Sequence, residues 1–186
     1  MKIIEVQRHR YRLPFLNPFA TAHGVIKARE GIIVEVKTER GICGIGEIAP
    51  LPAHGDADLA AACSLLSALE ARLRGKELDE ALEMLNSGAD KSYLSLPSIK
   101  QTQADKSAVG AINRPLLDVC QAAVCCGLEI ALLDAIGKAR GCAVCTLLAP
   151  GGSVPRAGIA VNAVIGASTT EAALAAAREA SRSGFR

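Results

Sequence analysis

The C-terminal stretch limits the possible folds most, because it opens a unit that it cannot close by itself. Residues 154–164 read VPRAGIAVNAV, a short apolar strand. Ser168 to Arg182 follows as an amphipathic helix with a capping box, Ser168 to Glu171, and a terminating Gly184. One strand and one helix make a single βα step. A parallel strand needs neighbours in its own sheet, and an eight-fold barrel takes roughly 200 residues or more. Residues 153–186 therefore read as the first step of a barrel that continues beyond Arg186, and residues 1–152 as a module in front of it.

That module reads as strands and then helices. Lys2 to Leu13 alternates, with Ile4 and Val6 set against Glu5 and Gln7. Pro14 and Pro18 end this strand and leave Phe15 to Gly24 as a loop. Ile32 to Thr38 is a second strand, with Ile32, Val34 and Val36 on one face. Glu39-Arg40-Gly41 is a turn whose glycine supplies positive φ, and Ile42 to Ile48 returns as a third strand. Gly44 and Gly46 inside it mark a close backbone approach or a bulge. Pro50-Leu51-Pro52 ends the sheet. Asp56 caps a helix whose Leu59, Ala62, Leu66, Leu69 and Leu73 share a face, and Gly75 closes it. Leu78, Ala81, Leu82 and Leu85 form a second helix. Residues 87–107 are a polar surface excursion. Pro115 opens a third helix, Leu116 to Lys138. Its Val124, Leu128, Ala131, Leu132, Ala135 and Ile136 point inward, and Gly127 is a weak point within it. Thr146 to Leu148 is a short apolar connection, and residues 150–152 are a linker. The expected module is α+β, a three-stranded antiparallel meander with helices on one face.

Composition narrows the function classes. The chain is 50% hydrophobic and 22% charged, which suits a packed core rather than disorder. With 21 basic against 19 acidic residues there is no electrostatic case for nucleic acid or an anionic membrane. Aromatics at 3%, without Trp, argue against base-stacking platforms. No apolar run approaches the roughly 20 residues of a bilayer span, and the N-terminus lacks a signal-peptide core, so a cytoplasmic location is expected. Seven cysteines scattered through apolar segments read as reduced core thiols. Cys142 and Cys145 have C-x-x-C spacing but no second Cys or His pair to complete a zinc site. They read as a helix end with two buried thiols. His9, His23 and His54 are too dispersed to supply one.

Three stretches carry a family resemblance. The first is Thr21-Ala22-His23-Gly24 followed by Gly31 to Pro52, GIIVEVKTERGICGIGEIAPLP, with its G-x-G-E-x-x-P core from Gly44 to Pro50. The second is Cys126 to Pro150, CGLEIALLDAIGKARGCAVCTLLAP, where Ala149 stands in place of the usual glycine. The third is Val161-Asn162-Ala163-Val164 and the Ala-rich helix ending at Gly184-Phe185. In this order they resemble the enolase superfamily, in its muconate-lactonizing and mandelate-racemase-like branch. Within it they are most similar to o-succinylbenzoate synthases, with muconate cycloisomerases and dipeptide epimerases as alternatives sharing the same cap. The resemblance implies an N-terminal capping domain, 1–152, and the first βα unit of a (β/α)7β barrel, 153–186. It also implies a small carboxylate substrate, Mg²⁺ as cofactor, and proton abstraction beside the carboxylate to give a metal-stabilised enediolate, with water eliminated on the menaquinone pathway. The base and the metal ligands are then expected beyond Arg186, with none in this chain.

By position, residues 15–24 and 50–56 would be the two loops that close over substrate. Thr21, His23, Pro52 and His54 are the substrate-loop candidates, each set against an ordinary role in a solvated turn. Gly44-Ile45-Gly46-Glu47 is not a dinucleotide fingerprint, since it lies in a hairpin. Glu47 reads as a hydrogen-bonding group at a domain junction. Glu129 and Asp134, five residues apart, lie well apart in angle around a helix and do not pair as an acid–base dyad; they read as anchors for backbone or Arg partners at the junction of cap and barrel. Lys100 and Lys106 read as solvated side chains. Asn162 faces either the barrel mouth or a neighbouring strand. The chain alone is expected to be inactive. As a truncated or split fragment it would associate with a barrel partner or as a homo-oligomer through the edge at Ile159–Ile165. A non-enzymatic binding module is the remaining class, and no exposed aromatic or Arg cluster supports it.

Overall fold

The computed structural model describes residues 1–21, 24–50, 59–87, 119–149, 151, 153–167 and 169–185. Strands β1 (Ile3–Thr21), β2 (Gly24–Thr38) and β3 (Cys43–Ile48) form one antiparallel sheet in the order β1-β2-β3. Helices α1 (Leu59–Leu73), α2 (Leu78–Ser87), α3 (Val119–Arg140), α4 (Val144–Leu148) and α5 (Thr170–Arg182) follow. The meander with helices packed on one face is as expected. Asp56, Pro115 and most of the polar excursion lie outside the described residues.

The alternation of β2 decides which face is covered. Ile32, Val34 and Val36 are fully buried against α1 and α3, where they meet Leu66, Leu69, Leu73, Val124, Leu128 and Leu132. All six α3 residues expected to point inward do so. Two turns hold the ends of the layer. Gly41 takes φ 77° beside the buried Thr38, whose N–H donates to the Ile42 carbonyl at 2.9 Å. Gly75, at φ 84° after α1, donates to the Ile3 carbonyl at 2.8 Å and so ties the start of β1 to the helices.

Four expectations are corrected. The loop at Phe15 to Gly24 is mostly strand: β1 runs on to Thr21, with Thr21 opposite Gly24. Pro14 pairs with Ala28, which an edge strand tolerates because a missing N–H can face outward. A register irregularity between Pro14 and Phe19 absorbs Pro18. Second, residues 153–167 form no strand. Val154, Ile159, Val161 and Val164 are 71–91% exposed, since an apolar parallel strand has nothing to pair with until neighbouring strands exist. Third, Thr146 to Leu148 belongs to α4, which leaves Cys145 exposed and Cys142 partly so rather than both buried. Fourth, the N-cap of α5 is Thr169, not Ser168; its hydroxyl accepts from the Ala172 N–H at 3.2 Å. A fifth difference concerns hydropathy. Cys120–Arg140 is long and apolar enough to cross a membrane by length and composition alone, yet the face it would show to lipid is the core just described.

Gly127 is not the weak point its propensity suggests. A Cβ there would run into the Ile48 side chain and lie 2.7 Å from the Glu47 carbonyl oxygen. Gly44 and Gly46 face the same helix, where added Cβ atoms would collide with the carbonyls of Ala131 and Gly127. Strand and helix backbones touch, and three glycines make that approach possible.

Candidate functional site

The two substrate-side segments expected from sequence leave the sheet at the same end. Of the candidates, Thr21 is placed at the tip of the β1–β2 hairpin, paired with Gly24. His23, Pro52 and His54 lie outside the described residues. The second segment begins at Ala49 and Pro50, just past β3.

Two side chains that sequence pattern does not single out, Tyr11 and Arg29, organise this end together with Glu47. The ring of Tyr11 lies over Gly31, its cross-strand partner, and its hydroxyl donates to Glu47. Aromatic cover over a strand glycine restores the packing that glycine lacks. Glu47 thus hydrogen-bonds a phenol at the sheet surface. Arg29, half-buried on β2, donates Nη1 to the Pro50 carbonyl at 3.2 Å and Nη2 to the Ala49 carbonyl. The signal available in the sequence was the strand period: Tyr11, Arg29 and Glu47 all fall at odd positions, opposite to the buried even set of β2.

On the covered face, Arg8, Arg10 and Arg12 alternate along β1. Arg8 donates to the Cys63 carbonyl at 3.1 Å and the Ser67 hydroxyl at 2.8 Å, and pairs with Glu70 at 3.1 Å. Arg10 reaches Cys63 Sγ at 3.1 Å, and Arg12 pairs with Glu30 at 2.9 Å. Each arginine is therefore engaged within the fold. On the outer face, His9 Nε2 lies 3.5 Å from Glu35 Oε1, and Cys43 Sγ 3.8 Å from Glu35 Oε2. Burial and the Glu35 charge push the Cys43 thiol up, the opposite of what a nucleophilic cysteine needs.

Asp134 anchors backbone, as expected. Its carboxylate accepts from the Ile45 N–H at 2.8 Å and from Lys138 at 2.7 Å, while Lys138 also donates to the Cys43 carbonyl at 2.8 Å. This helix pair closes the open edge of β3. Burial alone would raise the Asp134 carboxyl, but Lys138 and the Ile45 amide outweigh it and hold it low. Burial raises the Glu129 carboxyl.

The described residues do not fit a metal ion. Among them no three His, Cys, Asp or Glu side chains converge closely enough to hold one.

Tyr11 yields a pH prediction. Burial, followed by the hydrogen bond to Glu47 and its charge, pushes the phenol up to about 12, against a smaller opposing effect of Arg29. An acid whose folded pKa is raised stabilises the fold fully below its unfolded value near 10, and loses that contribution as pH rises toward 12. In the Tyr93→Phe chain, phenolate absorbance should rise near pH 12, and earlier in Tyr93→Phe/Glu47→Gln. An identical titration in both would remove Glu47 as a cause.

Residues 3–100, just over half of the chain, match the family model described as "MenC, N-terminal domain". A 63-residue stretch is 41% identical to the o-succinylbenzoate synthase of Thermosynechococcus vestitus, covering 34% of this chain and 20% of that protein. The fold superposes on the L-Ala-D/L-Glu epimerase of Bacillus subtilis with TM-score 0.72 at 20% identity, over 100% of this chain and 44% of that one. It superposes equally, at TM-score 0.72 and 24% identity, on a dipeptide epimerase of Methylococcus capsulatus solved with Mg and L-Arg-D-Lys, again over 100% of this chain and 44% of that one. The chain thus spans less than half the length of these relatives. It belongs to the MenC N-terminal-domain family.

Proposed function

We propose that this chain is the capping part of an o-succinylbenzoate synthase-like enzyme of menaquinone biosynthesis, acting in the cytoplasm. The enzyme removes a proton beside a carboxylate and eliminates water. The family match over residues 3–100, together with a 63-residue stretch 41% identical to an o-succinylbenzoate synthase, carries this reading. In it, residues 1–152 are the cap and 153–186 the first βα unit of the barrel. Thr21, His23, Pro52 and His54 border the substrate. Dependence on Mg²⁺ is part of the proposal, and because the described residues offer no ligand set, its ligands are assigned to the barrel, as is the base. The 186 residues by themselves then do not turn over substrate. The likeness to two dipeptide epimerases favours a second reading, epimerisation of a dipeptide through the same proton abstraction.

The test is to express the full reading frame and the 186-residue chain side by side. Each is assayed for dehydration of the cyclohexadiene carboxylate, dipeptide epimerisation and muconate cycloisomerisation, with Mg²⁺ and with chelator. Dehydration by the full frame alone, abolished by chelator, is the expected result. Epimerisation without dehydration would replace the first reading with the second. Turnover by the 186 residues would overturn the assignment of the base to the barrel.

A further inference from the structure

The exit of β3 has a problem of unsatisfied carbonyls. β3 pairs with β2 only as far as Ile48, opposite Ile32, and Pro50 follows two residues later. The ladder ends there, so no β2 N–H is paired with the carbonyls of Ala49 and Pro50, and proline has no N–H with which to extend it. Pro50 is buried and Ala49 half-buried, where water is a poor substitute. Arg29 serves both carbonyls with the two arms of one guanidinium. It stands on β2 opposite Leu13, at the start of the part of the hairpin that projects beyond the β3 pairing. One side chain therefore links the paired β1–β2 hairpin, which carries it, to the chain leaving β3. A planar fork can hold two successive carbonyls at once, whereas a lysine ammonium acts as a single point donor.

We propose that Arg29 is a positioning residue, tying the exit of β3 at Ala49–Pro50 to the β1–β2 hairpin so that the two substrate-side segments keep a constant spacing. The link to substrate rests on the functional reading above; the tether itself rests on the two hydrogen bonds. Arg29 touches no reacting atom in this proposal. Its loss acts on substrate affinity rather than on proton transfer.

The experiment uses Arg29→Gln and Arg29→Lys in two settings. In the 186-residue chain, hydrogen exchange at the Ile48 and Ala49 amides should quicken about tenfold in the Gln variant and less in the Lys variant, the size expected when hydrogen bonds from a charged donor are lost. Amides within α1 and α3 serve as the internal control and should not change. No change at Ile48 and Ala49, or an equal rise everywhere, overturns the tether. In the full reading frame, KM should rise about tenfold for Gln with kcat within about twofold, and Lys should recover part of it. A fall in kcat at constant KM overturns the positioning role. If the unsubstituted full-length enzyme dehydrates, epimerises and cycloisomerises nothing while the local exchange still quickens, the tether stands and the functional reading is what fails.

Discussion

Gly46→Ala should lower the stability of the described α+β module by about 3 kcal/mol, at the upper end of the cost of overpacking. The added methyl has nowhere to go. It would meet the Gly127 carbonyl oxygen and lie 2.9 Å from the Ala131 nitrogen, and both are helix backbone that cannot swing aside as a side chain can. The strand must therefore separate from α3, loosening Ile48 and Leu128 beside it. For a chain of 186 residues this corresponds to a fall in Tm of roughly 10 °C, read by circular dichroism. Gly127→Ala should behave alike, since its Cβ strikes the same junction from the other side. Gly158→Ala is the control: nothing lies within 4 Å of its Cβ, and its effect should stay within about 0.5 kcal/mol. A Gly46→Ala melt that overlays the Gly158→Ala melt would mean that strand and helix are not in backbone contact.

Leu132→Ala should cost about 3 kcal/mol in urea unfolding, with the slope of the transition unchanged. Leu132 is fully buried on α3 within the cluster that includes Val34, Leu66 and Leu128, so truncation leaves a cavity bounded by sheet and helices. The matched comparison is Ile159→Ala. Ile159 is 82% exposed, so removing its side chain gives up little buried surface and should leave the midpoint almost unmoved. Equal costs at the two positions would contradict the division between a packed module and an uncovered segment at 153–167.

Much of this arrangement is legible residue by residue. The inward positions of α3 follow from spacing alone, because a helix that packs on a sheet must show it a continuous apolar stripe. The strand faces of β2 follow from period two, and Gly41 and Gly75 from their places after a strand and a helix. Two local readings failed for one reason. Proline at position 14 predicts the end of β1, and the apolar run from Val154 to Val164 predicts a strand, yet whether extended chain becomes strand depends on its neighbour. β1 has β2 beside it and continues past proline; residues 153–167 have no partner and do not form a ladder.

The site divides in the same way. Sequence pattern marked the end of the sheet at Pro50 but made residues 15–24 a loop, which the pairing of Thr21 with Gly24 shows to be the tip of a hairpin. It also placed Asp134 as a backbone anchor on α3. It did not single out Arg29 or Tyr11, whose partners are about twenty and thirty-six residues away. The amino-acid order by itself determined the periodic faces, the turns and the family, since each is encoded over short spans or in motifs. Only the tertiary structure decided which backbones touch through Gly44, Gly46 and Gly127, and which side chains bridge strands, because those contacts exist only once distant segments have been brought together.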